Sequence, residues 1–188
     1  MNAGGRLGFM STETEAKLKV ESHVRLAERL GELGAEFLGE QIQTDYYFDD
    51  ADRTLTAGDK CLRVRRQLMG KTEKVLLTYK GPKEKHELKR RREIEIEVQN
   101  RESVENLLSA LGYEEVLVFE KRRRLWRLAE CEVALDELPL LGSFVEIEGR
   151  DGEMITGVQK RLGLEHLSHV RQSYASLVAD KLRRQSYG

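Results

Sequence analysis

Charged and apolar residues alternate along four short stretches of the chain. In Glu13-Thr14-Glu15-Ala16-Lys17-Leu18-Lys19-Val20, residues Glu13, Glu15, Lys17 and Lys19 share one face of an extended strand, while Ala16, Leu18 and Val20 share the other. The same period of two returns in Leu62-Arg63-Val64-Arg65, in Glu93-Ile94-Glu95-Ile96-Glu97-Val98 and in Val145-Glu146-Ile147-Glu148. One such strand reads as a surface strand with its charges in water. Four of them point to a shared, charged interior.

A helical period separates these stretches. Ser22 is placed to cap a helix carrying Val24, Ala27, Leu30 and Leu33, which Gly34 stops. Ser103 caps a second with Val104, Leu107, Leu108 and Leu111 before Gly112. Asp151 caps a third with Ile155, Val158 and Leu162 before Gly163, and Tyr174, Leu177, Val178 and Leu182 outline a fourth. Further strands are expected over Phe37 to Asp49, Glu115 to Leu128 and Cys131 to Asp136. Cys61 to Leu68 and Lys74 to Lys80 form a hairpin about Gly70. Asp50 to Asp59 reads as a loop, as does the almost wholly charged Lys83 to Arg92, a solvated and mobile segment before the Glu93 strand. Met1 to Ser11 has no periodicity and reads as a flexible leader; residues 12–188 read as one domain.

A weak repeat runs through this order. A strand with Glu-x-Glu, then a helix, then Leu-Gly occurs with Glu13/Glu15 and Leu33-Gly34, with Glu93/Glu95 and Leu111-Gly112, and with Glu146/Glu148 and Leu162-Gly163. It predicts duplicated units related by pseudosymmetry and a closed arrangement of strands.

Composition narrows the partners. Of 188 residues 35% are charged, but 32 basic and 33 acidic side chains leave a net charge of −1, so no global field draws nucleic acid or an acidic membrane. No apolar run is long enough to span a bilayer and the first residues lack a signal-peptide core, which reads as a cytoplasmic protein. Cys61 and Cys131 stand far apart and read as reduced thiols; His23, His86, His166 and His169 form no metal-ligand pattern. Any metal here would take oxygen ligands.

About eight strands with short connections suit an antiparallel sheet, and the helices have apolar stripes to cover its apolar face. The charged faces then line a lumen. An unpartnered ion in a dry interior costs several kcal/mol, so water, opposite charges and a charged ligand must share that space. Carboxylates at i and i+2 of one strand start about 6.6 Å apart and can converge on one cation. In the strand ending at Leu128, Trp126 and Leu128 set the apolar phase, which selects Lys121 and Arg123 over Arg122 and Arg124 as lumen residues. The plain alternative is a solvated basic run; a nucleic-acid patch is disfavoured because no stacking aromatics are interleaved.

Read together, Glu13-x-Glu15-x-Lys17, Leu62-Arg-Val-Arg65, Leu77-Thr-Tyr-Lys-Gly-Pro82, Arg92-Glu-Ile-Glu-Ile-Glu97, Lys121-x-Arg123, Ala134-Leu-Asp136 and Phe144-Val-Glu-Ile-Glu148 resemble the CYTH superfamily of triphosphate tunnel metalloenzymes. Ser173-Tyr174 followed by Leu177 resembles a C-terminal element of its class IV adenylate cyclase branch. The resemblance implies an α+β fold, a closed eight-stranded antiparallel barrel with helices packed outside, and a Mg2+ or Mn2+ requirement. It also implies ATP or another triphosphate as substrate, leaving a homodimer open. By position it places Glu13, Glu15, Asp136, Glu146 and Glu148 on the metal side and Lys17, Arg63, Arg65, Lys80, Lys121 and Arg123 on the phosphate side. Lys80, Lys121 and Glu148 are assigned to catalysis, and Lys19, Glu93 and Glu95 to supporting lumen charge. The implied reaction is cyclase-like: the ribose 3′-hydroxyl of ATP attacks the α-phosphorus and pyrophosphate leaves. The alternatives are hydrolysis of tripolyphosphate, thiamine triphosphate or a nucleoside triphosphate, and a binding module without turnover.

Overall fold

A computed structural model describes residues 9–85 and 88–186. Residues 1–8 of the expected leader and His86 lie outside the described residues. The elements run β1 (Phe9–Lys19), α1 (Val24–Glu32), β2 (Glu36–Asp49), α2 (Thr54–Ala57), β3 (Cys61–Met69), β4 (Thr72–Lys80), β5 (Lys89–Val98), α3 (Arg101–Ala110), β6 (Glu114–Leu128), β7 (Cys131–Leu138), β8 (Gly142–Glu148), α4 (Gly152–Arg161) and α5 (Tyr174–Ser186). The eight strands close into a barrel in the order β1-β5-β4-β3-β2-β6-β7-β8, every neighbouring pair antiparallel.

The repeat seen in the sequence has a topological counterpart. Exchanging β1–β4 with β5–β8 leaves the circular order unchanged, and each half carries its long helix between its first and second strands. The Leu-Gly pairs are helix stops: Leu33, Leu111 and Leu162 cap α1, α3 and α4, and each following glycine takes a positive φ of 70°, 85° and 72°. Gly70 opens the two-residue turn between β3 and β4 with φ 59°, a conformation that costs glycine little.

Local chemistry shifts several expected boundaries. Asn100, not Ser103, caps α3: its side chain accepts from the Ser103 N–H at 2.8 Å, so the helix begins before the serine. At α1 the cap position falls on His23, and the Ser22 hydroxyl accepts from the Val24 N–H at 3.2 Å. Asp151 caps α4 as expected, accepting from Met154 N–H at 3.0 Å. The expected loop at residues 50–59 contains α2, because the Asp49 carboxylate accepts from the N–H groups of Leu55 and Thr56 and holds one helical turn. β1 starts at Phe9, so the last residues of the expected leader pair with β5. β5 starts at Lys89, so the second half of the expected charged loop is strand.

The apolar faces point outward and the helices cover much of them, while Ile42, Ile94, Ile96 and Val118 stay exposed. Leu26 and Leu30 of α1 and Ile155 and Val158 of α4 pack with Leu18, Val133, Val145 and Ile147 of β1, β7 and β8. Val104 and Leu108 of α3 cover Phe48, Val64 and Val75. The fourth cluster helix differs: Tyr174 and Val178 of α5 pack with Phe119, Leu138 and Phe144, which places α5 against one end of the barrel and not on its side. Among the described residues no helix is long and apolar enough to cross a membrane. Cys61 and Cys131 are both free.

Candidate active site

The barrel encloses a cavity of about 1270 Å³ into which the charged strand faces project. Of the residues singled out in the sequence, all but Lys19 and Asp136 line it. Lys19 shares the phase of Glu15 and Lys17, but its ammonium donates to the Leu141 carbonyl and lies 4.2 Å from the Phe144 ring, at the barrel's edge. Asp136 is fully buried in the wall, beneath the cations.

β1, β5 and β8 form a carboxylate wall stitched by lysines. Strand register sets Glu15 opposite Glu148 and Lys17 opposite Glu146. Lys80 donates to both Glu13 oxygens at 2.8 Å and contacts Glu93 at 2.8 Å. Lys17 lies 3.2 Å from Glu146 and 3.7 Å from Glu15 and donates to the Gln172 carbonyl at 3.1 Å. Burial works against the charged form of Glu146, but Lys17 and Arg123 hold its pKa well below the usual carboxylate range. Glu13 is lowered too, Lys80 and Lys89 overriding its burial. Glu148 makes no ion pair among the described residues. Solvent in the lumen reaches it, but the protein around it desolvates the carboxyl and Glu13 and Glu15 repel it, so its pKa is pushed up to about 8.

The opposite side, on β2, β3, β6 and β7, is built from arginine forks. Arg65 donates through Nε and Nη2 to Asp45 at 2.6 and 2.8 Å. Arg123 donates through Nε and Nη2 to Asp136 at 2.7 and 2.5 Å and also to Glu146. Lys121 donates to the same Asp136 at 3.1 Å. Arg63 donates to Thr78 Oγ1 at 3.0 Å, and that hydroxyl donates to Glu95 at 2.9 Å. Burial would raise the pKa of Asp45 and Asp136, but Arg65 and Arg63 lower the first and Arg123 and Lys121 the second. Lys121 itself is pushed down to about 8, by burial first and then by the neighbouring Arg123.

Several lumen residues escaped the sequence reading. Lys89 donates to Glu15 at 2.5 Å; burial opposes its charge, but Glu15 and Glu13 raise its pKa. Arg91, 4% exposed, lines the cavity with its Nε unpartnered. Both sit in the charged run expected as a loop, so the phase of the Glu93 strand was not extended to them. Asp45 was hidden among aromatic strand residues. Tyr174 spans the two walls, its ring 4.1 Å from Lys17 Nζ and 4.7 Å from Lys121 Nζ.

Among the described residues no three Asp, Glu, His or Cys side chains are gathered as a ready metal cluster, because lysines already stand between the carboxylates. The donor set nonetheless fits a hard cation. Glu13, Glu15 and Glu148 offer only oxygen, and the raised pKa of Glu148 records a repulsion that a divalent ion would relieve.

A model of the CYTH domain matches residues 11–174. The chain belongs to the CYTH domain family. A Methanocaldococcus jannaschii protein, named provisionally as the adenylate cyclase MJ0240, is 29% identical over 174 residues, spanning 88% of this chain and 97% of that protein. The structure of the PH1819 protein from Pyrococcus horikoshii OT3 superposes with a TM-score of 0.79 at 31% identity, covering 90% of this chain and 99% of the other. HpAC1 from Hippeastrum, provisionally named an adenylyl cyclase and described as having a dominant triphosphatase activity, superposes with a TM-score of 0.71 over 89% of this CYTH chain and 95% of its own; at 19% identity the likeness is one of fold.

Proposed function

We propose that this CYTH protein is a divalent-metal-dependent enzyme acting on a triphosphate held in the barrel lumen, with cyclisation of ATP to cyclic AMP and pyrophosphate as its leading reaction. The observation that carries the reading is the meeting of lysine and arginine groups with an incompletely neutralised carboxylate wall in one cavity. The adenylate cyclase name of the M. jannaschii relative supports the choice of reaction.

In this reading Lys17, Arg63, Arg65, Lys80, Lys121 and Arg123 bind phosphate oxygens, joined by Lys89 and Arg91. Glu13, Glu15, Glu146 and Glu148 would hold Mg2+ or Mn2+. Asp136 acts as a positioning residue, since it fixes Arg123 and Lys121 from beneath. When bound, the divalent ion supplies Lewis-acid polarisation of phosphate oxygens and of the attacking oxygen. The arginines are fixed before substrate arrives, so they meet charge developing on the phosphates without reorganising. Lys121 Nζ, with its pKa near 8, is suited to pass a proton to the departing pyrophosphate oxygen.

Hydrolysis of a triphosphate is the second reading. Glu148 favours it, because a solvent-open carboxylate lining the cavity is placed to orient an attacking water. The deciding experiment supplies ATP, tripolyphosphate and thiamine triphosphate with Mg2+ or Mn2+ and identifies the products. Cyclic AMP with pyrophosphate is expected; orthophosphate alone would replace the cyclase reading with the hydrolase one, and no turnover of any of the three would overturn both.

A further inference from the structure

Glu15 stands at a junction in the barrel wall. β1 pairs with β5 from Phe9 to Glu15 and with β8 from Glu15 to Lys19, so Glu15 has Lys89 across from it on one side and Glu148 on the other. One neighbour holds it and the other repels it. Lys89 donates to Glu15 Oε1 at 2.5 Å, the two side chains being 9% and 4% exposed, while Glu148 makes no ion pair among the described residues and is set against Glu13 and Glu15.

The three lysines of this wall differ in what each would keep once its carboxylate turned to a divalent ion. Lys80 contacts Glu13 at 2.8 Å but also Glu93, which stands outside the set of Glu13, Glu15, Glu146 and Glu148. Lys17 would keep the Gln172 carbonyl and the face of the Tyr174 ring. Lys89 has Glu15 as its one direct partner among the described residues. Burial works against its charge, and the surrounding carboxylates, Glu15 first and then Glu13 and Glu146, raise its pKa. A buried ammonium stripped of such a partner is costly unless another anion takes the partner's place. Arg91 provides the contrast. It lies opposite Glu13 on the same pair of strands, lines the same cavity and is buried, yet it makes no ion pair among the described residues, so it can meet an anion without releasing anything.

We propose that Lys89 is the resident cation of this wall and exchanges with the divalent ion: it neutralises Glu15 before ligands bind, and gives that carboxylate up when a triphosphate offers it phosphate oxygens instead. The proposal rests on the triphosphate reading and goes further, since it makes metal and substrate binding interdependent and names the residue that links them. For metal to bind alone, Lys89 would be displaced with no partner to go to. For a triphosphate to draw Lys89 away alone, Glu15 would be left unbalanced beside Glu148. Bound together, each ligand removes the cost the other meets, and the linkage is reciprocal: the factor by which metal tightens phosphate binding is the factor by which phosphate tightens metal binding.

The test measures Mn2+ binding, from the electron paramagnetic resonance of the free ion, and tripolyphosphate binding, by calorimetry in EDTA and in excess Mn2+. It compares the wild type with Lys89→Met, Lys89→Gln and Arg91→Met, each checked for folding by circular dichroism. Without tripolyphosphate, Mn2+ is expected to bind at least about tenfold tighter to either Lys89 variant than to the wild type, and within about threefold of the wild type to Arg91→Met, which removes the same charge from the same cavity. The factor by which Mn2+ tightens tripolyphosphate binding should shrink at least about fivefold in the Lys89 variants. Unchanged Mn2+ affinity in those variants would overturn the exchange. So would an equal gain in Arg91→Met, because lost repulsion alone would then account for it. The wild type is informative by itself: tripolyphosphate bound equally well with and without Mn2+ would overturn the exchange and leave the triphosphate reading standing, and protein that binds neither Mn2+ nor tripolyphosphate would overturn both.

Discussion

The two sides of the lumen hold buried charge in different ways. On β2, β3, β6 and β7 the carboxylates Asp45 and Asp136 are each gripped by a two-pronged guanidinium. On β1, β5 and β8 the counter-charges are mostly lysines, some shared between two carboxylates, and Glu148 makes no ion pair among the described residues. A guanidinium fork fixes geometry, whereas an ammonium on a flexible stem can turn to a new oxygen at small cost. The arginine side is therefore scaffold as well as site. The lysine side is where charge stays exchangeable, and there an arriving phosphate or cation gains most.

The largest expected effect breaks the scaffold. Asp45→Ala leaves Arg65 buried without its partner and should cost about 3–5 kcal/mol in urea unfolding. Glu13→Gln, which leaves Lys80 its contact with Glu93, should cost less than half of that, and equal losses would erase the distinction between the walls. Next comes Glu148→Gln. Its turnover of any accepted triphosphate should fall at least about 100-fold with the circular dichroism spectrum unchanged, and unaltered rates would remove Glu148 from the site. Arg91→Met should weaken triphosphate binding about tenfold without lowering the thermal midpoint, because it removes a buried cation that makes no ion pair among the described residues. The smallest effect is a pH dependence. Lys121 loses its proton through about pH 8, so if only the ammonium form binds, triphosphate affinity should drop about threefold from pH 7.5 to 8.5. Binding there should take up a proton, detectable as a buffer-dependent heat, and Lys121→Arg should flatten the profile.

How much of this could be read from the sequence depends on what shares each strand with the charges. In β1, β3 and β8 apolar and charged residues alternate over residues 15–20, 62–65 and 145–148, so the phase of the strand and the direction of its charges are legible. In β6 the run Lys121 to Arg124 is ambiguous by itself, and Trp126 and Leu128 resolve it. β5 begins Lys89-Arg90-Arg91-Arg92, and because residues 83–92 read as a loop, the alternation set by Ile94, Ile96 and Val98 was not carried back to place Lys89 and Arg91 inward and Arg90 outward. Pairing with β1, which sets Lys89 opposite Glu15 and Arg91 opposite Glu13, agrees with that phase. The capping of α3 by Asn100 was missed for a related reason: two residue types able to cap stood three positions apart, and the path of the chain out of β5 chose between them.

The closed order of strands has a consequence for how the chain reaches it. β1 is made first, but one of its two neighbours is β8, far along the chain, so the sheet stays open until late and its edges wait unpaired. Long-range pairing of that kind is slow, and an open sheet invites association with other copies. Here the inner faces of β1 and β5 are studded with glutamate, lysine and arginine, the pattern that discourages edge-to-edge and face-to-face stacking. The charges that line the finished tunnel thereby also guard the unfinished barrel against aggregation.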